Sequence, residues 1–117
     1  MTEKNNNRKV GSVYEQRACT YLIDNGYQIL ATNYRNRMGE IDIIAKNKEY
    51  ICFVEVKYRK SSQYGNPLEA VNYKKQMQIR KVATYYLMTQ GLYEGTPIRF
   101  DVIAFLGDSM EHIENAF

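Results

Sequence analysis

A run of strand-forming residues, Ile51-Cys52-Phe53-Val54-Glu55-Val56-Lys57, is interrupted by a carboxylate and an ammonium two positions apart. Side chains alternate along a strand, so Glu55 and Lys57 share one face, about 6.5 Å apart along the chain, while Val54 and Val56 take the other. The segment before it, residues 40–46, has the same character, with Asp42 set among Ile41, Ile43 and Ile44. Only Asn47 and Lys48 separate residue 46 from residue 49, and the two segments therefore predict a hairpin. Its register decides whether the acids meet. A two-residue loop that pairs Lys46 with Glu49 puts Asp42 and Glu55 on one face, and so does a four-residue loop over residues 47–50, which sets Asp42 opposite Glu55. A three-residue loop separates them.

The rest of the chain supplies elements to cover such a hairpin. Ser12 is a candidate N-cap with Glu15 as its capping-box partner, which predicts a first helix over residues 13–25, stopped by Gly26. Ala18, Cys19 and Leu22 project within about 60° of Glu15, so this acid lies on the apolar face of the helix. Residues 27–35 read as a strand closed by a turn at 36–39, and residues 60–67 as a loop. Apolar residues at helical spacing predict a long second helix over residues 68–90 that ends at Gly91. Residues 99–106 form a last strong strand, with a short edge strand at 110–113. The order α-β-β-β-α-β describes an α/β fold with a central mixed sheet flanked by helices. Residues 1–10 are expected to be a flexible tail and 11–117 a single domain.

Composition excludes several classes. With 117 residues, 44% hydrophobic and 25% charged, the chain is neither disordered nor long enough for two domains. The net charge of +3 is uninformative, but its distribution is not: residues 1–93 carry +7 and residues 94–117 carry −4. That is a basic body with an acidic C-terminal margin, a mild form of a polyanion-binding pattern. Cys19 and Cys52 fall inside helix and strand patterns, and the polar N-terminal stretch lacks the apolar core of a secretion signal. Both features point to reduced thiols and a cytoplasmic location. No apolar run approaches the roughly 20 residues that cross a bilayer.

Chemistry follows from the two strand acids. Neighbouring strands lie about 4.8 Å apart, so two carboxylates there repel unless a positive charge sits between them. A hard divalent cation, Mg²⁺ or Mn²⁺, suits few oxygen ligands and a substrate phosphate. Lys57 could then orient an attacking water or neutralise charge developing on phosphorus. Glu15 adds a third acid over the sheet, with helix capping as its competing role. Arg59 and Lys60, with Lys74 and Lys75 and the nearby Arg80 and Lys81, form a track that could follow a phosphate backbone, and Tyr58 and Tyr64 are candidate nucleic-acid contacts. Glu40 reads as an exposed strand-start acid, Asp101 as a solvated-face residue paired with Arg99 or another cation, and His112 as exposed. No Cys/His cluster suggests zinc.

Residues 39–45, Gly39-Glu40-Ile41-Asp42-Ile43-Ile44-Ala45, followed by Phe53-Val54-Glu55-Val56-Lys57-Tyr58-Arg59, resemble the PD-(D/E)XK nuclease signature, an acid on one strand and acid-X-Lys on the next. Over roughly residues 11–106 the chain also resembles the YraN family of small bacterial proteins, similar to archaeal Holliday junction resolvases. This likeness rests on Gly11, Glu15 and Ala18, on Asn33-Tyr34-Arg35, on the two strand motifs, on Ala70-Val71 with Lys74-Lys75, and on Arg99-Phe100-Asp101-Val102. The resemblance implies a restriction endonuclease-like fold, Asp42 and Glu55 as metal ligands with Glu15 as the helix acid, and Lys57 as the catalytic lysine. Ile41 stands where the signature has Pro, preceded by Glu40. The activity implied is Mg²⁺- or Mn²⁺-dependent endonucleolytic hydrolysis of DNA, branched or junction DNA in particular, by a homodimer. The alternatives are a nucleic-acid-binding module with weak or no catalysis in a DNA-processing assembly, and a scaffold whose buried charges are purely structural.

Overall fold

The computed structural model describes residues 3–60, 71–92 and 95–117, with side chains from Ser12 onward. Tyr64 and Leu68 lie outside the described residues, but the second helix, expected over residues 68–90, begins only at Tyr73, because Asn72 is extended and caps it. The elements are α1 (Glu3–Asp24), β1 (Gln28–Asn36), β2 (Gly39–Lys46), β3 (Ile51–Arg59), α2 (Tyr73–Thr89), β4 (Ile98–Leu106) and β5 (Ser109–Ile113). The five strands form one sheet in the order β1-β2-β3-β4-β5. All neighbours are antiparallel except β3 and β4, which run parallel and are joined through α2. The expected α/β architecture and element order hold, with the edge strand as β5.

The first helix starts earlier than its apparent capping box. α1 is helical from Glu3, because nothing between Glu3 and Val10 breaks a helix and Gly11 costs only about 1 kcal/mol inside one. Ser12 therefore sits within the helix and cannot cap its start. The capping role of Glu15 goes with it, which leaves that carboxylate to the sheet. α2 does have a side-chain cap: Asn72 accepts a 2.9 Å hydrogen bond from the Lys75 amide.

The helices cover opposite faces of the sheet. Ala18 and Leu22 of α1 pack on Ile43, Val54, Ile103 and Phe105. Ile79, Val82, Tyr86 and Leu87 of α2 pack on Ile44, Phe53, Phe100 and Val102. Burial on both faces explains why β3 and β4 read as nearly continuous apolar runs.

The β2–β3 hairpin takes the four-residue loop. Lys46 pairs with Ile51 and Ile43 with Val54. The Asn47 side chain sets this loop by accepting 2.8 Å hydrogen bonds from the amides of both Glu49 and Tyr50. The ladder stops at Ile43–Val54, where Asp42 and Glu55 would come next. Strict alternation on β2 also fails there: Ile43 belongs to the core under α1, but Ile41 belongs to the core under α2. On β1 the residue facing Asp42 is Asn33, whose φ of 51° is left-handed. The β1–β2 ribbon thus turns over at Asn33 and Asp42, and an opening forms between β2 and the end of β3.

Gly39 closes the β1–β2 turn against α2. Its φ of +149° disfavours any side chain, and an added Cβ would lie 2.8 Å from the Gln78 side chain. Gly39→Ala is expected to lower stability by about 1–3 kcal/mol in urea unfolding. Because Gln78 can swing aside, adding Gln78→Ala should restore little; full restoration would show that crowding, not backbone conformation, sets the cost.

Two sequence expectations fail at the other end of the sheet. Asp101 is fully buried and not on a solvated face, and the His112 side chain is only 6% exposed. The Arg99 guanidinium grips Asp101 through Nε and Nη2, both at 2.9 Å, and Nη2 also donates to the Tyr27 hydroxyl. His112 Nε2 lies 2.7 Å from Asp101 Oδ2, and the Asn115 amide donates to Oδ1 at 3.0 Å. An ionised carboxylate only accepts, so Nε2 carries hydrogen toward Asp101, and Nδ1 on the other side of the ring lies 2.9 Å from the Tyr21 hydroxyl oxygen. Burial alone would push the Asp101 carboxyl up, but the hydrogen bonds from His112, Arg99 and Asn115 outweigh it and hold the group below the usual carboxylate range. The cluster binds β4, β5, α1 and the segment after α1 together.

Candidate active site

The opening beside β3 is a cavity of about 310 Å³ lined by Glu15, Asp42, Glu55, Lys57, Arg59 and Lys75, among others. Each side chain arrives from a different constraint. Glu55 and Lys57 come from one face of β3, and Asp42 from the point where β2 leaves its partner. Glu15 comes from the sheet-facing side of α1, and Lys75 from the first turn of α2. Both helices can reach one cavity because the missing strand pairing opens the sheet there.

Glu55 is 3% exposed. Its Oε2 lies 3.5 Å from the Lys57 ammonium and 3.9 Å from that of Lys75. Asp42 Oδ2 accepts a 2.8 Å hydrogen bond from the Val56 amide, so the carboxylate stands in for the strand partner that this amide lacks. Burial, and then the Asp42 charge, push the Glu55 carboxyl up to about 7 against the pull of the two lysines. Burial also raises Asp42, but the Val56 amide and Lys57 stabilise its anion and work against that rise. A hydrogen bond between the two carboxyls favours Glu55 as the protonated partner and Asp42 as the ionised one. Glu15 is raised by burial and then by Asp42.

The four residues read from the sequence and the resemblance as catalytic or metal-binding, Glu15, Asp42, Glu55 and Lys57, therefore line one cavity. Of the residues assigned to a phosphate track, Arg59 lines it as well, with Nη1 donating to the Tyr58 carbonyl at 2.9 Å. Lys75 belongs beside Glu55 itself, a position that only the packing of α2 on the sheet reveals. Lys60 is exposed outside the cavity, and Lys74 faces a separate groove on α2. Glu40 pairs with the exposed Arg35 at 3.1 Å and does not line the cavity, although its charge adds to the rise of the Asp42 and Glu15 carboxyls. Sequence reasoning missed Tyr14, which stacks on Tyr58 with ring centroids 4.1 Å apart to form a wall of the site. Its one signal was adjacency to Glu15.

The donor set suits a hard divalent cation. Two buried carboxyls side by side offer oxygen ligands and an unfavourable charge that such an ion would relieve. Among the described residues no three His, Cys, Asp or Glu side chains converge tightly enough to enclose a metal. The pair Asp42 and Glu55 is thus the core of any such site, with Glu15 set back on the cavity wall. No helix among the described residues is long and apolar enough to cross a membrane.

The family model described as Uncharacterised protein family UPF0102 matches residues 14–105, a span that includes every cavity residue named above. A UPF0102 protein of Lachnoclostridium phytofermentans is 50% identical over 112 residues, covering 95% of each chain. One of Alkaliphilus oremlandii is also 50% identical, over 95% of this chain and 99% of its own. The UPF0102 protein FN1370 of Fusobacterium nucleatum is 44% identical over 110 residues. With its family model matched across the site and relatives alike over nearly their whole length, the chain belongs to the UPF0102 family, the YraN family that its motifs resemble.

Proposed function

We propose that this protein is a divalent-metal-dependent endonuclease that hydrolyses phosphodiester bonds of DNA. The observation that carries the reading is the meeting of Asp42 and Glu55 in one cavity, with two ammonium groups within 4.0 Å of the Glu55 carboxylate. Asp42 and Glu55 would hold Mg²⁺ or Mn²⁺. When bound, the ion supplies Lewis-acid polarisation of the phosphate and lowers the pKa of water. The chain's own groups do the rest. Lys57 and Lys75, released from neutralising Glu55, are placed to stabilise charge on a phosphate oxygen, and Glu15 is placed to hold or accept a proton from water at the cavity wall. Arg59 at the mouth offers a phosphate contact. Branched or junction DNA is the substrate form proposed, and a homodimer would present two such cavities to one junction.

The test is cleavage of linear, forked and four-way-junction DNA in Mg²⁺ or Mn²⁺ by wild type and Glu55→Ala. Loss of a metal ligand should slow cutting more than about 100-fold, since disturbing even the groups that orient ligands costs 10- to 100-fold. Equal rates would overturn the assignment. Among the described residues no third acid closes on Asp42 and Glu55, and both are engaged by protein groups, which favours one second reading, a nucleic-acid-binding module without catalysis. Titration calorimetry separates them: no heat with Mn²⁺, together with salt-dependent DNA binding, supports the module.

A further inference from the structure

The outer side of α2 carries a groove that the cleavage chemistry does not use. Tyr73, Met77, Lys81 and Tyr85 recur every four residues on the helix face opposite its buried residues, and Met88 extends the stripe. Tyr73 is 74% exposed, Met88 62% and Tyr85 47%. Met38, from the β1–β2 turn that Gly39 brings against α2, forms the opposite wall, and the groove holds about 600 Å³ in its first part. Four cations (Lys74, Lys75, Arg80 and Lys81) and no acid lie on α2. Lys75 lines both this groove and the carboxylate cavity, so the two are neighbours on either side of one lysine.

We infer that this groove binds a single-stranded segment of nucleic acid and leads it to the cavity, a statement that rests on the nuclease reading and specifies its substrate. The charge calls for a polyanion. The exposed tyrosines and methionines call for something flat and apolar that a duplex keeps hidden within its stack. Unpaired bases present π-faces to aromatic side chains, while lysines beside them follow the phosphates. From Tyr73 to Tyr85 the stripe runs about 18 Å along the helix axis, room for more than one stacking contact. A second copy of the chain is a poor occupant: packing α2 antiparallel on α2 about a two-fold axis near Met77 sets Lys74 of each copy against Lys81 of the other, with no acid on the helix to offset them.

Fluorescence anisotropy with short labelled single strands of DNA and RNA and with a blunt DNA duplex, in EDTA so that no strand is cut, tests this. The double variant Tyr73→Ala/Tyr85→Ala should bind single strands about tenfold or more weakly while duplex affinity stays within twofold. Tyr73→Phe/Tyr85→Phe should bind as wild type does. Both tyrosines are exposed, so folding should survive, and a circular dichroism melt checks it. Unchanged single-strand affinity overturns the inference, as does an equal loss toward duplex. A dimer that dissociates in the double variant on sedimentation also overturns it, because the occupant is then a second copy. If wild type cuts DNA in Mn²⁺ but the groove variants bind normally, the inference fails and the nuclease reading stands. If wild type binds no strand of any kind, both fail.

Discussion

Glu55→Gln should be more stable than wild type at pH 8 and no more stable at pH 4.5. Burial and the Asp42 charge hold the Glu55 proton up to about 7. A carboxyl whose folded pKa lies above its unfolded value contributes fully to stability below the unfolded value. That contribution is lost as pH rises through the folded one, because the native state there binds the extra proton. Wild-type stability should therefore decline between about pH 4.5 and 8, by an amount on the order of 3 kcal/mol, or roughly 10 °C in unfolding midpoint. Glutamine keeps the shape without the charge and should flatten the profile. Thermal melts of both proteins across this range provide the measurement, and parallel profiles would show that Glu55 is not the group being titrated. The same melts with Mn²⁺ should shift wild type upward and leave Glu55→Gln unmoved. A site that its own buried charge destabilises, and that is quiet once the charge is removed, would have the character of a functional position, where stability is given up for chemistry.

Asp101→Ala is expected to be the most destabilising single change outside the apolar core. It leaves the Arg99 guanidinium, 11% exposed, and the His112 ring, 6% exposed, without the carboxylate that both engage. Breaking a buried pair from one side costs about 3–5 kcal/mol, because the remaining charge stays buried. That is a large share of the 5–15 kcal/mol that typically holds a domain. Since Asp101→Ala could fail to fold, Asp101→Asn keeps the shape and one acceptor and should lose less, giving a graded series in urea unfolding. A loss below about 1 kcal/mol for both would mean that the cluster is not structural. Because the Asp101 carboxyl is held below the usual range, its contribution is present at neutral pH and should vanish only in acid, as pH falls through that lowered value. Glu55 and Asp101 are both buried acids on neighbouring parallel strands, yet one is held ready to take a proton and the other to stay ionised. The environments differ in donors: Asp101 receives a guanidinium fork, an imidazole and an amide, whereas Glu55 faces a second carboxyl.

The strands were legible because period-2 patterning and turn residues are local. The meeting of Asp42 with Glu55 was legible too, since either even-length hairpin loop brings them to one face and the Asn47 turn selects one of these. The start of α1 was misread because a plausible cap at Ser12 says nothing about whether the preceding residues can continue a helix. Asp101 and His112 were misread for a different reason. The pairing of Asp101 with Arg99 was legible, but such a pair reads the same on a wet face or a buried one, and the groups that enclose it come from far away: Tyr27 lies 72 residues from Arg99 and Tyr21 lies 91 from His112.

By itself, then, the amino-acid sequence determined the element order, the faces of the hairpin and the identity of the acids and lysine on them, because these follow from periodicity within a few residues. Only the tertiary structure decided that the β1–β2 ribbon turns over at Asn33 and Asp42, that α1 and α2 both reach the resulting opening, and that Lys75 stands beside Glu55. Each of these depends on how two helices settle on opposite faces of a twisted sheet, and packing of that kind is set by the summed contacts of residues far apart in the chain.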